Sequence, residues 1–102
     1  MPRFLIERNF AEAIEVTKEG ADQVRQINDE EGVRWLFSFL SPDKRKTYCL
    51  YEAPNPDAIR AAARRLAVPV DTIVEVGSEV DPFAAAIAPL REQVGATTPP
   101  PA

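Results

Sequence analysis

In residues 32–65, GVRWLFSFLSPDKRKTYCLYEAPNPDAIRAAARR, two strand patterns, a charged turn and a helix start follow one another. Trp35, Phe37 and Phe39 alternate with other residues, among them Arg34 and Ser38, which is the period-two pattern of a strand. Residues 47–51 are rich in strand-forming side chains. The segment SPDKRK between them has the composition of a loop. The sequence therefore predicts a hairpin over residues 33–40 and 47–53.

Helices and further strands are predicted on both sides of this hairpin. Asn55, Pro56 and Asp57 suit the cap, the first position and the positively polarised first turn of a helix. A second helix pattern runs from about residue 17 to residue 31 and stops at Gly32. Residues 4–8 and 72–76 have strand patterns. The resulting order, βαββαβ, predicts an α+β fold of ferredoxin-like type, with a four-stranded antiparallel sheet in the order 4-1-3-2 and both helices on one face.

The chain divides into three parts by composition. Residues 1–80 form the predicted ferredoxin-like domain. Asp81 and Pro82 resemble a helix start, so residues 81–95 are predicted to be a short C-terminal helical extension, which Pro89 would interrupt. Residues 96–102, ATTPPPA, have the composition of a disordered, Pro-rich tail.

Composition excludes several classes of function. No apolar run approaches the roughly 18 residues of a membrane span, and no secretory signal pattern is present, so we predict a cytoplasmic protein without a membrane partner. The net charge of -4 argues against nucleic-acid binding. The single cysteine fits a reducing compartment. The chain has no histidine, which removes the commonest general base and the commonest transition-metal ligand.

Pairing Ser41 with Lys46 across the loop distributes the hairpin side chains over two faces of the sheet. In this register Ser38 faces Cys49, Leu36 faces Tyr51, and Arg34 faces Ala53. The face expected beneath the helices contains Phe4, Ile6, Trp35, Phe37, Phe39, Tyr48, Leu50, Val74 and Val76. The face expected to be open contains Arg3, Leu5, Glu7, Arg34, Leu36, Ser38, Leu40, Thr47, Cys49, Tyr51, Ile73 and Glu75.

The expected open face indicates both a partner and a ligand site. Its exposed apolar groups form a larger patch than a monomer normally leaves in water, which predicts a homodimer. With the first and third strands taken as parallel, Glu7, Arg34 and Tyr51 gather at one end, and Ser38 lies between the ends. These four are the candidate ligand-binding residues, for a small molecule or a metal ion. The alternative is an ion-paired network that only supports the dimer interface.

Several motifs resemble a known family. They are LIER at 5–8, GVRW at 32–35 with Ser38, YCLYEAP at 48–54, DAIR at 57–60, PVD at 69–71 and IVEV at 73–76. With them the chain resembles a domain-of-unknown-function family of small ferredoxin-like bacterial proteins that includes a nickel-binding member. The resemblance implies an α/β ferredoxin-like dimer and, in at least one member, nickel binding; the predicted dimer is of α/β-barrel type.

One departure from the family bears on the metal. The family often carries a histidine in the second helix, where this chain has Ala61, Ala62 and Ala63. Imidazole is a natural nickel ligand. The remaining candidate metal ligands are Cys49, Glu7 and Glu75.

Three functions stay open at this point. The first is a small homodimeric ligand-binding or sensing protein that takes nickel or another divalent metal, with no other cofactor. The second is a small dimeric α/β-barrel enzyme that uses a sheet-face carboxylate, Glu7 or Glu75, as acid or base, which is an analogy at the level of the fold. The third is a purely structural interaction module. Cys49 is a poor nucleophile in all three because no histidine can activate it.

Overall fold

The structure, a computed structural model, describes residues 1–83 and 86–88. Its elements are β1 (Arg3–Asn9), α1 (Lys18–Glu30), β2 (Arg34–Leu40), β3 (Lys46–Glu52), α2 (Pro56–Leu66), β4 (Thr72–Val76), β5 (Glu79–Asp81) and β6 (Ala86–Ala88). The four long strands form one sheet in the order β4-β1-β3-β2, and all neighbours are antiparallel. The expected α+β class and the strand order 4-1-3-2 are therefore confirmed. None of the helices in the described ranges has the length and apolar character that crossing a membrane requires.

Both helices begin at capping side chains. The Asn55 side chain accepts a hydrogen bond from the backbone N–H of Ala58 at 3.0 Å, with Pro56 at the first helical position. The Thr17 hydroxyl accepts from the N–H of Gly20 at 3.0 Å. Such caps satisfy N–H groups that have no partner within the first turn of a helix. The helix starts therefore follow from short polar signals in the sequence.

The C-terminal extension differs from the expectation where the structure describes it. Ala86–Ala88 is a strand that pairs with Glu79–Asp81, so the helix expected over 81–95 is wrong at these residues. Asp81 accepts a hydrogen bond from the N–H of Phe83, two residues on, which forms an Asx turn and not a helix cap. Residues 84–85 and 89–95 of the expected helix, and the expected tail at 96–102, lie outside the described residues.

The core lies between the helices and one face of the sheet, which we call the helix face. Its buried cluster combines β1, β3 and α2: Phe4, Ile6, Val33, Cys49, Tyr51, Ala53 and Ile59. Trp35 and Ile73 pack against it. The expected core positions of Phe4, Ile6 and Trp35 are confirmed.

The hairpin faces are otherwise the reverse of the expectation. Ser38 pairs with Cys49, as expected, but Trp35 pairs with Tyr51 and Arg34 with Glu52, because a bulge interrupts β2 between Trp35 and Phe37. A bulge adds one residue to a strand and changes which face the following residues occupy. Six residues that we expected in the core lie instead on the face away from the helices. They are Phe37, Phe39, Tyr48, Leu50, Val74 and Val76, and their expected core positions are wrong.

Candidate functional site

The face of the sheet away from the helices, which we call the open face, is apolar at its centre. Cross-strand pairs assign to it Arg3, Leu5, Glu7, Arg34, Phe37, Phe39, Lys46, Tyr48, Leu50, Glu52, Thr72, Val74 and Val76. Leu5 pairs with Leu50 on one side and Val74 on the other. Leu5, Phe39 and Val74 are 39%, 65% and 53% exposed. This is an unusual concentration of exposed apolar side chains for so small a chain.

A charged group closes one end of the open face. The carboxylate of Glu52 lies between two guanidinium groups, at 3.2 Å from Arg3 Nη2 and 3.4 Å from Arg34 Nη1. The Glu52 side chain is largely buried, whereas that of Arg34 is half exposed. Two guanidinium groups thus hold the Glu52 carboxylate at this end of the open face.

At the opposite end of the open face the Glu7 carboxylate has looser contacts. The Glu7 carboxylate is 3.8 Å from Lys46 Nζ, and Asn9 Nδ2 is 3.5 Å from Glu7 Oε2. The same ammonium of Lys46 lies 5.7 Å from the ring centre of Tyr48. These contacts are long, and about a third of each charged side chain is accessible. Glu7 can therefore exchange its partner for a cation or a hydrogen-bond donor from outside the chain.

The four expected ligand-binding residues do not gather in one place. Glu7 and Arg34 are on the open face but at opposite ends, since β1 and β3 are antiparallel and not parallel as expected. Tyr51 and Ser38 are on the helix face. There the Ser38 hydroxyl accepts a hydrogen bond from Trp35 Nε1 at 2.8 Å.

The three expected metal ligands are also separated. Cys49 is buried on the helix face, with its Sγ 3.7 Å from Thr47 Oγ1. Glu75 pairs with Phe4 and is thus directed to the helix side, where it is exposed. Glu7 is on the open face. Within the described ranges no three His, Cys, Asp or Glu side chains come together as a metal site would require.

The burial of Cys49 predicts a slow reaction with thiol reagents. Because α2 and neighbouring strands of the same chain cover the thiol, we expect the folded protein to react at least about a hundredfold more slowly than the protein in denaturant. The measurement is the rate of labelling by iodoacetamide over a range of protein concentrations. The protection should be the same at every concentration. Protection that disappears on dilution would place the thiol on the open face, where only a second molecule could cover it.

A polar group inside the core was not expected from the sequence. Arg8 and Asn28 are almost fully buried, and they flank the phenol of Tyr51. Burial raises the pKa of Tyr51, and the nearby Cys49 raises it further, while Arg8 and Asn28 act in the opposite direction. We call Arg8, Asn28 and Tyr51 the buried polar cluster. One sequence signal for it is that Arg8 is separated from Phe4 and Ile6 by even numbers of residues along β1, which places all three on the same face.

A surface depression of about 530 Å³ lies between α1 and the bulge of β2. Neither Glu7 nor Glu52 lines it. Lys18, Asp22 and Arg25 line its helix side, and Trp35 and Phe37 line its strand side. The charged groups pair with one another, with Lys18 Nζ 3.0 Å from the Asp22 carboxylate and Arg25 bonded to the same side chain. They are thus already satisfied, and the depression is a weaker candidate than the open face.

Comparison with known proteins gives one family and one related fold. The family model described as "Nickel responsive protein SCO4226-like" matches residues 4–76. The solved structure titled "Crystal structure analysis of SCO4226 from Streptomyces coelicolor A3(2)" superposes with a TM-score of 0.57. The two sequences are 24% identical over 72% of this chain and 94% of that chain, which supports a common fold alone. Among curated proteins none matches.

Proposed function

We propose, since the chain belongs to the family of nickel responsive, SCO4226-like proteins, that it is a homodimeric binding or sensing protein for nickel or another divalent metal. In this proposal two open faces pack together as a dimeric α/β barrel, and the protein works in the cytoplasm. The observation that carries the proposal is the apolar centre of the open face, with charged groups at both ends.

Packing of two copies would remove this apolar surface from water. Leu5, Phe39 and Val74 are exposed in the single chain, and each is a side chain whose burial is favourable by about 1.5–3 kcal/mol when complete. Stable interfaces have an apolar centre and a polar rim. The open face has this arrangement, with Leu5 and Leu50 at the centre and the Glu52 and Glu7 groups at the ends.

The metal part of the proposal depends on the dimer. Glu7 is the one expected ligand on the open face, and the expected set of Cys49, Glu7 and Glu75 does not fit a metal within one chain. Nickel requires several oxygen, nitrogen or sulfur ligands at once. A site built on the open face would therefore combine Glu7 of each copy, with water completing the coordination.

Titration of the purified protein with nickel, followed by calorimetry, tests the metal part. We expect saturable binding that a Glu7→Gln variant weakens at least about tenfold, because the variant loses the charge but keeps the size of the side chain. Glu15→Gln, an exposed position outside the sheet, is the matched control and should bind as the wild type does. Absence of heat with the wild-type protein at millimolar nickel would remove metal binding from the proposal.

Sedimentation of the same samples tests the dimer part independently. If the protein is a dimer but binds no nickel, we would retain the proposal of a homodimeric binding protein with another small ligand. A monomer at high micromolar concentration would instead refute the packing of the open faces.

The alternative of a sheet-face enzyme has no observation in its favour. Such an enzyme needs a carboxylate at the base of a closed cavity. Glu7 is partly exposed and ion-paired with Lys46, and Glu75 is on the helix side of the sheet. We therefore propose ligand binding and assign no catalytic residue.

A further inference from the structure

Arg8 is a cation that is buried on the helix face of the sheet. Its side chain is 5% exposed on the helix face, in line with Phe4 and Ile6. Nη1 donates a hydrogen bond to the carbonyl oxygen of Pro69 at 2.7 Å, and Nη2 donates to the Tyr51 hydroxyl at 3.4 Å. The guanidinium also lies 5.8 Å from the Tyr51 ring centre. In the described part of the chain no carboxylate forms an ion pair with it, and an unpaired buried charge is strongly unfavourable.

Asn28 supplies a second, independent observation. The residue is 1% exposed, and its Nδ2 has no hydrogen-bond partner among the residues that the structure describes. Its amide is close enough to the Tyr51 hydroxyl to lower the pKa of that group. An amide N–H₂ that is buried without an acceptor destabilises the fold, and native proteins rarely leave one in that state. Asn28 Nδ2 is thus a buried donor without an assigned acceptor, in the same cluster as the phenol that Arg8 contacts.

The group holds more hydrogen-bond donors than acceptors, because its acceptors are the Asn28 carbonyl oxygen and the Tyr51 hydroxyl. A guanidinium carries five N–H donors and no acceptor, and the structure assigns two of those of Arg8. Neither N–H of Asn28 Nδ2 is used. A bound water would satisfy some of these donors, but it would not compensate the charge of the guanidinium. The chemical group that satisfies both needs is an anion.

We propose that the buried polar cluster binds a small monovalent anion, either chloride or the carboxylate of a small acid, through Arg8, Asn28 and the Tyr51 hydroxyl. The anion compensates the guanidinium and accepts hydrogen bonds from the three side chains. The bond from Arg8 to Pro69 is only partly buried, so the cluster is nearest to solvent at that end. The site is on the opposite side of the sheet from the proposed dimer interface.

Thermal unfolding at increasing chloride or formate concentration tests the proposal. The ionic strength is held constant with the sulfonate MES, whose ring is too large for a buried site. A ligand that binds only the folded state raises the folded-to-unfolded ratio about tenfold for each tenfold increase above its dissociation constant. We expect the folded-to-unfolded ratio to rise with chloride, with formate or with both. Comparison of the two titrations shows which anion the site prefers. No rise with either anion overturns the proposal.

Asn28→Asp separates this site from general salt effects. The introduced carboxylate provides the missing negative charge from within the chain, so we expect the variant to be more stable at low anion concentration and to lose the anion dependence. Gln23→Glu adds the same charge at an exposed position of the same helix and should keep the wild-type dependence. Equal anion dependence in wild type and Asn28→Asp would show that the cluster is not the site.

Chloride NMR provides a readout that does not depend on stability. Exchange with a protein site broadens the chloride signal, so the wild type should broaden it more than Asn28→Asp at equal concentration. If Asn28→Asp does not fold, Tyr51→Phe, which removes only the hydroxyl, takes its place in both measurements and should bind the anion more weakly. The same broadening in the wild type and the substituted protein would contradict the assignment.

Discussion

Ile6→Ala is expected to lower the free energy of unfolding by about 2–5 kcal/mol, because removal of buried methyl groups loses both transfer energy and packing. Ile6 is fully buried in β1, in a cluster with Phe4, Cys49 and Ile59. Its backbone lies between two paired strands, facing Cys49 and Ile73, so the sheet has little freedom to close the resulting cavity. A loss of this size is a large part of the total stability of a small domain.

Urea unfolding followed by circular dichroism measures this loss. The slope against urea should be unchanged, since the variant exposes nearly the same surface on unfolding. Val16→Ala truncates an exposed apolar side chain outside the sheet and should change the stability by less than about 0.5 kcal/mol. If Ile6→Ala lowers the free energy of unfolding by less than about 1 kcal/mol, the Ile6 side chain does not lie between β1 and the helices.

The elements and their order could be predicted because their signals are local. Asn55 and Pro56 mark the start of α2, and Gly32, with a φ of 76°, follows the end of α1. Such a backbone conformation favours glycine, so the stop signal has a direct structural cause. The family assignment from short motifs was also confirmed.

The faces of the hairpin could not be predicted because both are apolar. Period-two alternation distinguishes two faces only when one of them is polar, and here Phe37 and Leu50 occupy the open face while Tyr51 and Cys49 occupy the helix face. The bulge at Leu36 adds a shift that the sequence does not mark with Gly or Pro. The predicted metal site was wrong for the same reason, because the reversed faces of β3 placed Cys49 on the same face as Glu7.

The buried polar cluster was missed for a different reason. Arg8 and Asn28 are residue types that usually lie on the surface. Alternation along β1 places Arg8 on the same face as Ile6, and Asn28 follows Val24 at helical spacing. The polar character of Arg8 and Asn28 nevertheless favours a prediction that both are exposed. Only the packed structure shows that both reach Tyr51.

Leu5→Lys is expected to raise the dissociation constant of the proposed dimer at least about a hundredfold. In a symmetric interface the substitution places two ammonium groups at the apolar centre, and each factor of ten corresponds to about 1.4 kcal/mol. The fold should tolerate the change because Leu5 is partly exposed on the open face and its strand keeps both partners. Sedimentation equilibrium at several concentrations measures the constant, and circular dichroism confirms that the variant is folded.

Position on the open face should decide the size of this effect. Phe39→Lys introduces the same charge on the edge strand β2, where the ammonium can reach solvent, so we expect a smaller increase in the dissociation constant than for Leu5→Lys. Val16→Lys, at an exposed apolar residue outside the sheet, should leave the dimer unchanged. A decrease in effect from the centre to the edge is specific to packing through this face. If Leu5→Lys and Val16→Lys dimerise equally well, the two chains associate through another surface, and the proposed packing of the open faces is wrong.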